Sequence, residues 1–222
     1  MRKNKIDDDF QSYLTEGATF VGEPGIPMMM DLKNTQIPKG LVPINKIKYE
    51  QNKNKYVHCY VYDKLFNDFI SRTWKYVNIL SQYDGVVSPD CSMLIGQSKC
   101  LQQTNVYFNR AVGFYLQKNG IPVIPNIRWS DEQSFDFCFL GVPKNTIIAM
   151  STHGCIRSKK QKQLFAEGIR RAIDILQPSA IIIHGHMPDE VFSDFTSIVP
   201  FYRFPSEFEE THTKVKTNGN GI

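Results

Sequence analysis

At 222 residues, with 41% hydrophobic and 12% aromatic side chains, the chain carries enough apolar material for one substantial core, which excludes a disordered or low-complexity protein. A formal net charge of +4 is too mild to argue for or against nucleic acid. Five cysteines, odd in number and never spaced C-x-x-C, exclude a disulfide framework and a zinc ribbon and point to a reducing, cytoplasmic setting.

Residues 1–55 read as a short N-terminal helix (Ile6, Phe10 and Leu14 share a face) followed by a proline-rich arm punctuated by Pro24, Pro27, Pro38 and Pro43. The apolar pieces Ile26–Met30 and Leu41–Ile47 suit edge strands or a wrapping arm. From residue 56 the pattern becomes regular. His58–Tyr62 predicts a strand, and Asp63 to Tyr83 a helix with Phe66, Ile70, Val77 and Leu80 inward and Trp74 one step late. Asp84–Ser88 predicts a strand, Asn105–Asn119 a helix stopped at Gly120, and Pro122–Arg128 a strand that its two prolines make edge-like, bulged or short. Thr146–Ser151 is a strand, Lys159–Leu176 an amphipathic helix, and Ala180–His184 a wholly apolar strand of the kind parallel sheets bury. A short helix at Asp189–Phe195 and a strand at Ile198–Phe204 complete the α/β domain of residues 56–204. Residues 205–222 read as a disordered tail.

This strand–helix alternation predicts a single α/β domain with a mostly parallel sheet and flanking helices, either doubly wound or an incomplete, distorted barrel. Both put the C-terminal ends of the strands, where ligands collect, on one edge. Four polar clusters fall on that edge: Ser88–Asp90, Arg128–Asp131, Ser151–Cys155 and His184–His186. The turn from Ser151, Thr152 and Gly154 into a helix opening at Arg157, Ser158 and Lys159 has the parts of an anion site, without the spacing of a phosphate-binding P-loop. The plain alternative is that Ser158 caps the helix and Gly154 relaxes the turn.

Other candidates carry an equally plain alternative. His184 and His186, with His153 or Asp90, would hold a divalent metal, although histidines at strand ends are more often structural. Trp129 would stack on a base with Arg110, Arg128 or Arg157 reaching phosphates, whereas the alternating phenylalanines of SFDFCF suit the core better. Asp90, Asp131 and Asp136 are the candidate acid–base carboxylates, and Arg128 and Ser130 candidate ligand contacts. Cys138 and Cys155 are candidate nucleophiles with His153 or His184 as base, against the commoner reading of buried thiols. Arg157–Arg171 carries six basic residues against one acid, Glu167, which is either a solvated helix face or a nucleic-acid patch.

The stretches YDGVVSPD (83–90), NRAVGFYLQKNGIPVIPNIRWSDEQSFDFCFLGVPKNTIIAMSTHGC (109–155) and AIIIHG (180–185) resemble a family of bacteria, phages and plasmids catalogued only as a domain of unknown function. The resemblance covers residues 40–185 and implies a phage or mobile-element context without an activity. Its pattern does not require histidine at position 153, which favours Trp129, Ser130, Asp131, Asp136 and Gly154 over His153.

The residues therefore support two expectations. One is an enzyme that binds a phosphate-bearing ligand, a nucleotide or nucleic-acid end, and acts on a phosphoester or phosphodiester bond. The other is a non-enzymatic factor that binds nucleic acid or a host protein, a replication accessory or inhibitor, through the basic helix and the proline-rich arm. No membrane partner is expected, because the longest aliphatic run, Ala180–Ile183, is far short of the ~20 residues a span needs, and MRKNKIDDDF lacks the apolar stretch of a signal peptide.

Overall fold

The computed structural model describes residues 10–31 and 35–209. The chain opens with a 3-10 turn at Ser12–Thr15 that buries Leu14 but leaves Phe10 exposed; Ile6, the third member of the expected helix face, lies outside the described residues. The arm then forms a small antiparallel hairpin from β1 (Phe20–Val21) and β2 (Ile26–Pro27). β3 (Leu41–Pro43) and β4 (Tyr56–His58) follow as the first two strands of the main sheet.

The helix expected over residues 63–83 is broken. α1 (Asn67–Ser71) and α2 (Val77–Leu80) are separated by a 3-10 turn at Thr73–Lys75, with non-helical backbone at Arg72. Thr73 Oγ1 bonds back to the Phe69 carbonyl at 2.8 Å, and the off-phase Trp74 stays exposed. The break resets the phase that one straight helix would have lost. After β5 (Gly85–Val87), α3 runs over Lys99–Lys118, starting six residues earlier than the periodicity predicts because Ser98 caps it through the Leu101 N–H. β6 is Val123–Ile124, β7 Ile147–Ser151, α4 Lys159–Leu176, β8 Ala180–His184, α5 Asp189–Phe192 and β9 Phe201–Phe204.

Strands β3-β4-β5-β6 and β7-β8-β9 form two parallel ladders in chain order. The prolines explain the join between them. Pro125 cannot donate, so β6 ends at Ile124; its carbonyl still accepts from Ala149 N–H, and Ile127 N–H donates to the Ala149 carbonyl, both at 2.8 Å. The result is a run of seven parallel strands whose order never reverses. A doubly wound sheet needs such a reversal, so the incomplete-barrel alternative holds.

Curvature brings inward side chains of distant strands together. Tyr56, Val87, Ile124, Ala149 and Ile182 form one interior cluster, and the rings of His58 on β4 and His184 on β8 lie 4.8 Å apart. Outward residues of the same strands pack under the helices: Val57, Val86 and Val123 with Ala111, Val112 and Leu116 of α3, and Ile148, Met150, Ile181 and Ile183 with Phe165, Ile169 and Ala172 of α4. The ring is not closed by hydrogen bonds, since β3 and β9 do not pair; a Lys46–Glu207 ion pair and a cavity of about 620 Å³ occupy the gap. Beyond β9, Ser206 is buried and its N–H bonds Glu209 at 2.9 Å, while residues 210–222 of the expected tail lie outside the described residues. Among the described residues no helix is long and apolar enough to cross a membrane.

Candidate functional site

Period-two alternation decides which side chains reach the C-terminal mouth of the open barrel. Inward Ile147 and Ala149 of β7 are followed by Ser151, inward Ile182 of β8 by His184, and inward Ile124 of β6 by Asn126 and Arg128. Four of the clusters picked out in the sequence thereby converge. Asp90, Arg128, Ser151, His153 and His184 line one cavity of about 750 Å³, together with Tyr60 and Ser206.

At its floor, Asp90 bridges two strands' ends: one carboxylate oxygen accepts from Arg128 Nη1 at 3.0 Å and the other from Asn126 Nδ2 at 2.9 Å. Asn126 is itself held by Tyr60, whose hydroxyl donates to its side-chain oxygen at 3.0 Å, and by Ser88 Oγ on its backbone N–H at 2.7 Å. Arg110 underlies the network. It is 1% exposed and gives its protons to the carbonyls of Asn126, Cys138 and Leu140 and to the Asn109 side chain, with no carboxylate among these partners. Burial lowers its pKa to about 10. Arg128 differs, because Asp90 beside it raises its pKa and outweighs burial. Only Nη1 of Arg128 is spent on Asp90, and its Nε is a buried donor without a partner. An orphaned donor of this kind costs stability unless an acceptor is supplied.

The opposite wall is aromatic and uncharged. Tyr60 stacks on His184 with centroids 4.6 Å apart and planes 19° from parallel. Burial, then nearby His153, lowers the His184 pKa from 6.5 to about 4; burial, then His184, pushes His58 well below its ordinary value. Both imidazoles are neutral near neutral pH. Ser151 Oγ lies 3.2 Å from His184 Nδ1 and accepts the His153 N–H at 3.2 Å. Gly185, at φ +104°, allows the close approach of this turn, since a Cβ there would lie 2.7 Å from Thr152 Oγ1.

The remaining sequence candidates sit elsewhere. Trp129 is 8% exposed and packed among Phe135, Phe139 and Phe165, so little of it is left open. Asp131 caps the 3-10 turn at Glu132–Asp136 in a reciprocal box with Ser134, and Asp136 at the end of that turn is exposed. Neither carboxylate lines the mouth. Thr152 is buried against the His184 carbonyl, and Gly154 turns the chain at φ +76°. Ser130 and Gly154 line a side pocket beyond Arg128. Arg157 and Lys159 are exposed at the start of α4, which Ser158 caps through the Gln161 N–H. His186 is exposed and does not line the mouth with His184, and no three His, Cys, Asp or Glu side chains come together as metal ligands among the described residues. Burial raises the thiol pKa of both Cys138 and Cys155, which keeps them protonated and weakly nucleophilic.

Of the basic residues on α4, Lys162 pairs with Glu190 and Arg171 with Glu167, while Arg170 and Arg171 lie over the rings of Phe195 and Phe135. Sequence reasoning missed Tyr60, Asn126 and Asn109, and it offered Arg110 as a phosphate contact, whereas the structure buries that guanidinium. Asn126 was within reach, since counting by twos from Ile124 to Arg128 passes through it. Tyr60 was not, because its strand leaves the sheet at His58, whose Nδ1 takes the Tyr60 N–H at 3.1 Å; the strand predicted over residues 58–62 is therefore shifted to 56–58.

A family model described as a domain of unknown function (DUF4417) matches residues 19–202. The Gene 1 protein of Mycobacterium phage L5 is 34% identical over 131 residues, 59% of this chain and 57% of that protein. The Gene 1 protein of Mycobacterium phage D29 is 29% identical over 131 residues, 59% of this chain and 48% of that protein. The chain thus spans about half the length of the curated relatives it matches. No solved structure matches it.

Proposed function

We propose that this chain, which belongs to the family described as a domain of unknown function (DUF4417), binds a phosphate-bearing ligand, a nucleotide or nucleic-acid end, in the mouth of its open barrel and acts there on a phosphoester bond. One observation carries the reading. Arg128 stands in the cavity wall with its charge secured by Asp90 through Nη1 alone and 20% of its side chain open. A phosphate is the acceptor that an open guanidinium fork suits. Ser151 and the neutral His184, 3.2 Å apart, are the groups placed to carry a proton beside the bound phosphate. Asp90 acts through Arg128 as a positioning residue.

The test is a thermal-shift and phosphoesterase screen with inorganic phosphate, nucleotides and aryl phosphates, in the presence of Mg²⁺, Mn²⁺ or Zn²⁺. Wild type is expected to gain stability with phosphate ligands. The double variant Asp90→Asn, Arg128→Gln, which removes both charges together and so strands neither, is expected to lose that gain and at least about tenfold in affinity. A wild-type protein that neither shifts nor hydrolyses any of these compounds sinks the proposal.

A further inference from the structure

Beside the mouth lies a second cavity of about 300 Å³, reached past Arg128, Ser151 and Leu94, which line both spaces. The two are therefore neighbouring compartments of one site with the guanidinium at their partition. Their linings differ in kind. The mouth carries charge, hydroxyls and imidazole, whereas Met93, Ile127, Trp129, Leu164 and Phe165 make the side pocket mainly apolar.

Besides the shared Arg128 and Ser151, two polar side chains interrupt that apolar lining, and their neighbours settle what each has left to offer. The Gln161 side-chain oxygen accepts the backbone N–H groups of Arg157 and Ser158, both at 3.0 Å. That demand orients the amide and leaves Nε2 as a donor. Ser130 Oγ gives its proton to Gln102 Oε1 at 2.7 Å, and Gln102 is oriented in turn by donating Nε2 to the Gln97 carbonyl at 2.9 Å. Ser130 is thus left as an acceptor. A small apolar compartment with one fixed donor and one fixed acceptor suits a flat heteroaromatic ring with a mixed polar edge. An alkyl chain would leave both polar groups unanswered, and a sugar would be lost on the aromatic and aliphatic walls.

Resting on the reading of Arg128 as a phosphate anchor, we propose that the side pocket is a nucleobase subsite, so that the ligand is a nucleoside monophosphate unit with its phosphate in the mouth and its base beyond the Arg128 partition. The unit is free or forms the end of a strand.

Calorimetric titration of the full chain separates these cases, using inorganic phosphate, ribose 5-phosphate, the four nucleosides, their 5′-monophosphates and a 5′-phosphorylated trinucleotide. At least one monophosphate is expected to bind about tenfold or more tightly than ribose 5-phosphate. Gln161→Glu keeps the carbonyl that caps α4 but removes the donor, and is expected to erase most of that preference while leaving ribose 5-phosphate binding unchanged. As a readout independent of that variant, the same monophosphate is expected to slow alkylation of Cys155, which lines the pocket, in a Cys100→Ser background, whereas ribose 5-phosphate is not. Equal binding of ribose 5-phosphate and every nucleotide, with no protection of Cys155, overturns the base subsite and leaves the phosphate reading standing. Nucleoside binding without any phosphate dependence does the reverse, and silence from every compound overturns both. A trinucleotide tighter than the monophosphates identifies a strand end as the ligand's source, and a weaker one identifies the free nucleotide.

Discussion

His184 shows what burial does to one side chain at this site. An imidazole whose folded pKa is lowered from 6.5 to about 4 binds fewer protons folded than unfolded between those values. Its contribution to stability is present above the unfolded pKa and is lost as pH falls towards the folded one, and His58, shifted the same way, adds to the slope. The midpoint of thermal unfolding is therefore expected to drop from about pH 7 to about pH 5, by about 2 kcal/mol in stability from His184 alone. His184→Asn should flatten that dependence. An unchanged slope in the variant would mean that other groups set it. Arg110 makes the complementary point. Replacing it with Met strands the carbonyls of Cys138 and Leu140 and leaves that of Asn126 with Asn109 Nδ2 alone, and urea unfolding is expected to record a loss of about 3 kcal/mol or more. A smaller loss would show that water reaches those carbonyls.

At the scale of elements, α4 and the Trp129 corner are matched surfaces. A Cβ on Gly168 of α4 would lie 2.2 Å from the Trp129 ring, which Phe135, Phe139 and Phe165 hem in. Gly168→Ala is expected to cost about 1–3 kcal/mol by denaturant titration, despite the better helix propensity of alanine. A neutral or stabilising effect would mean that α4 does not press on the indole. The basic face of the same helix tests the non-enzymatic alternative. Because Lys159, Lys160 and Lys162 line neither cavity, the triple variant Lys159→Glu, Lys160→Glu, Lys162→Glu is expected to leave phosphate-ligand thermal shifts within error. Loss of a salt-sensitive nucleic-acid mobility shift in that variant, with folding intact, would instead place the interface on α4.

For the whole molecule, the legible part was whatever repeats locally. The 3.6-residue spacing of Phe165, Ile169, Ala172 and Leu176 marked α4, and the unbroken apolar run of Ala180–Ile183 marked β8 as buried on both sides. Alternation also put Asp90, Arg128, Ser151 and His184 at strand ends, and parallel connection put those ends on one edge. Strand order and curvature were decided only in three dimensions, because they depend on which strands pair and how far the sheet twists, and neither leaves a periodic trace. Curvature set His58 against His184 across three intervening strands and made the mouth a cavity. The same packing drew Trp129 into the core, spent Asp131 on a cap, and left part of the Arg128 side chain open at the mouth.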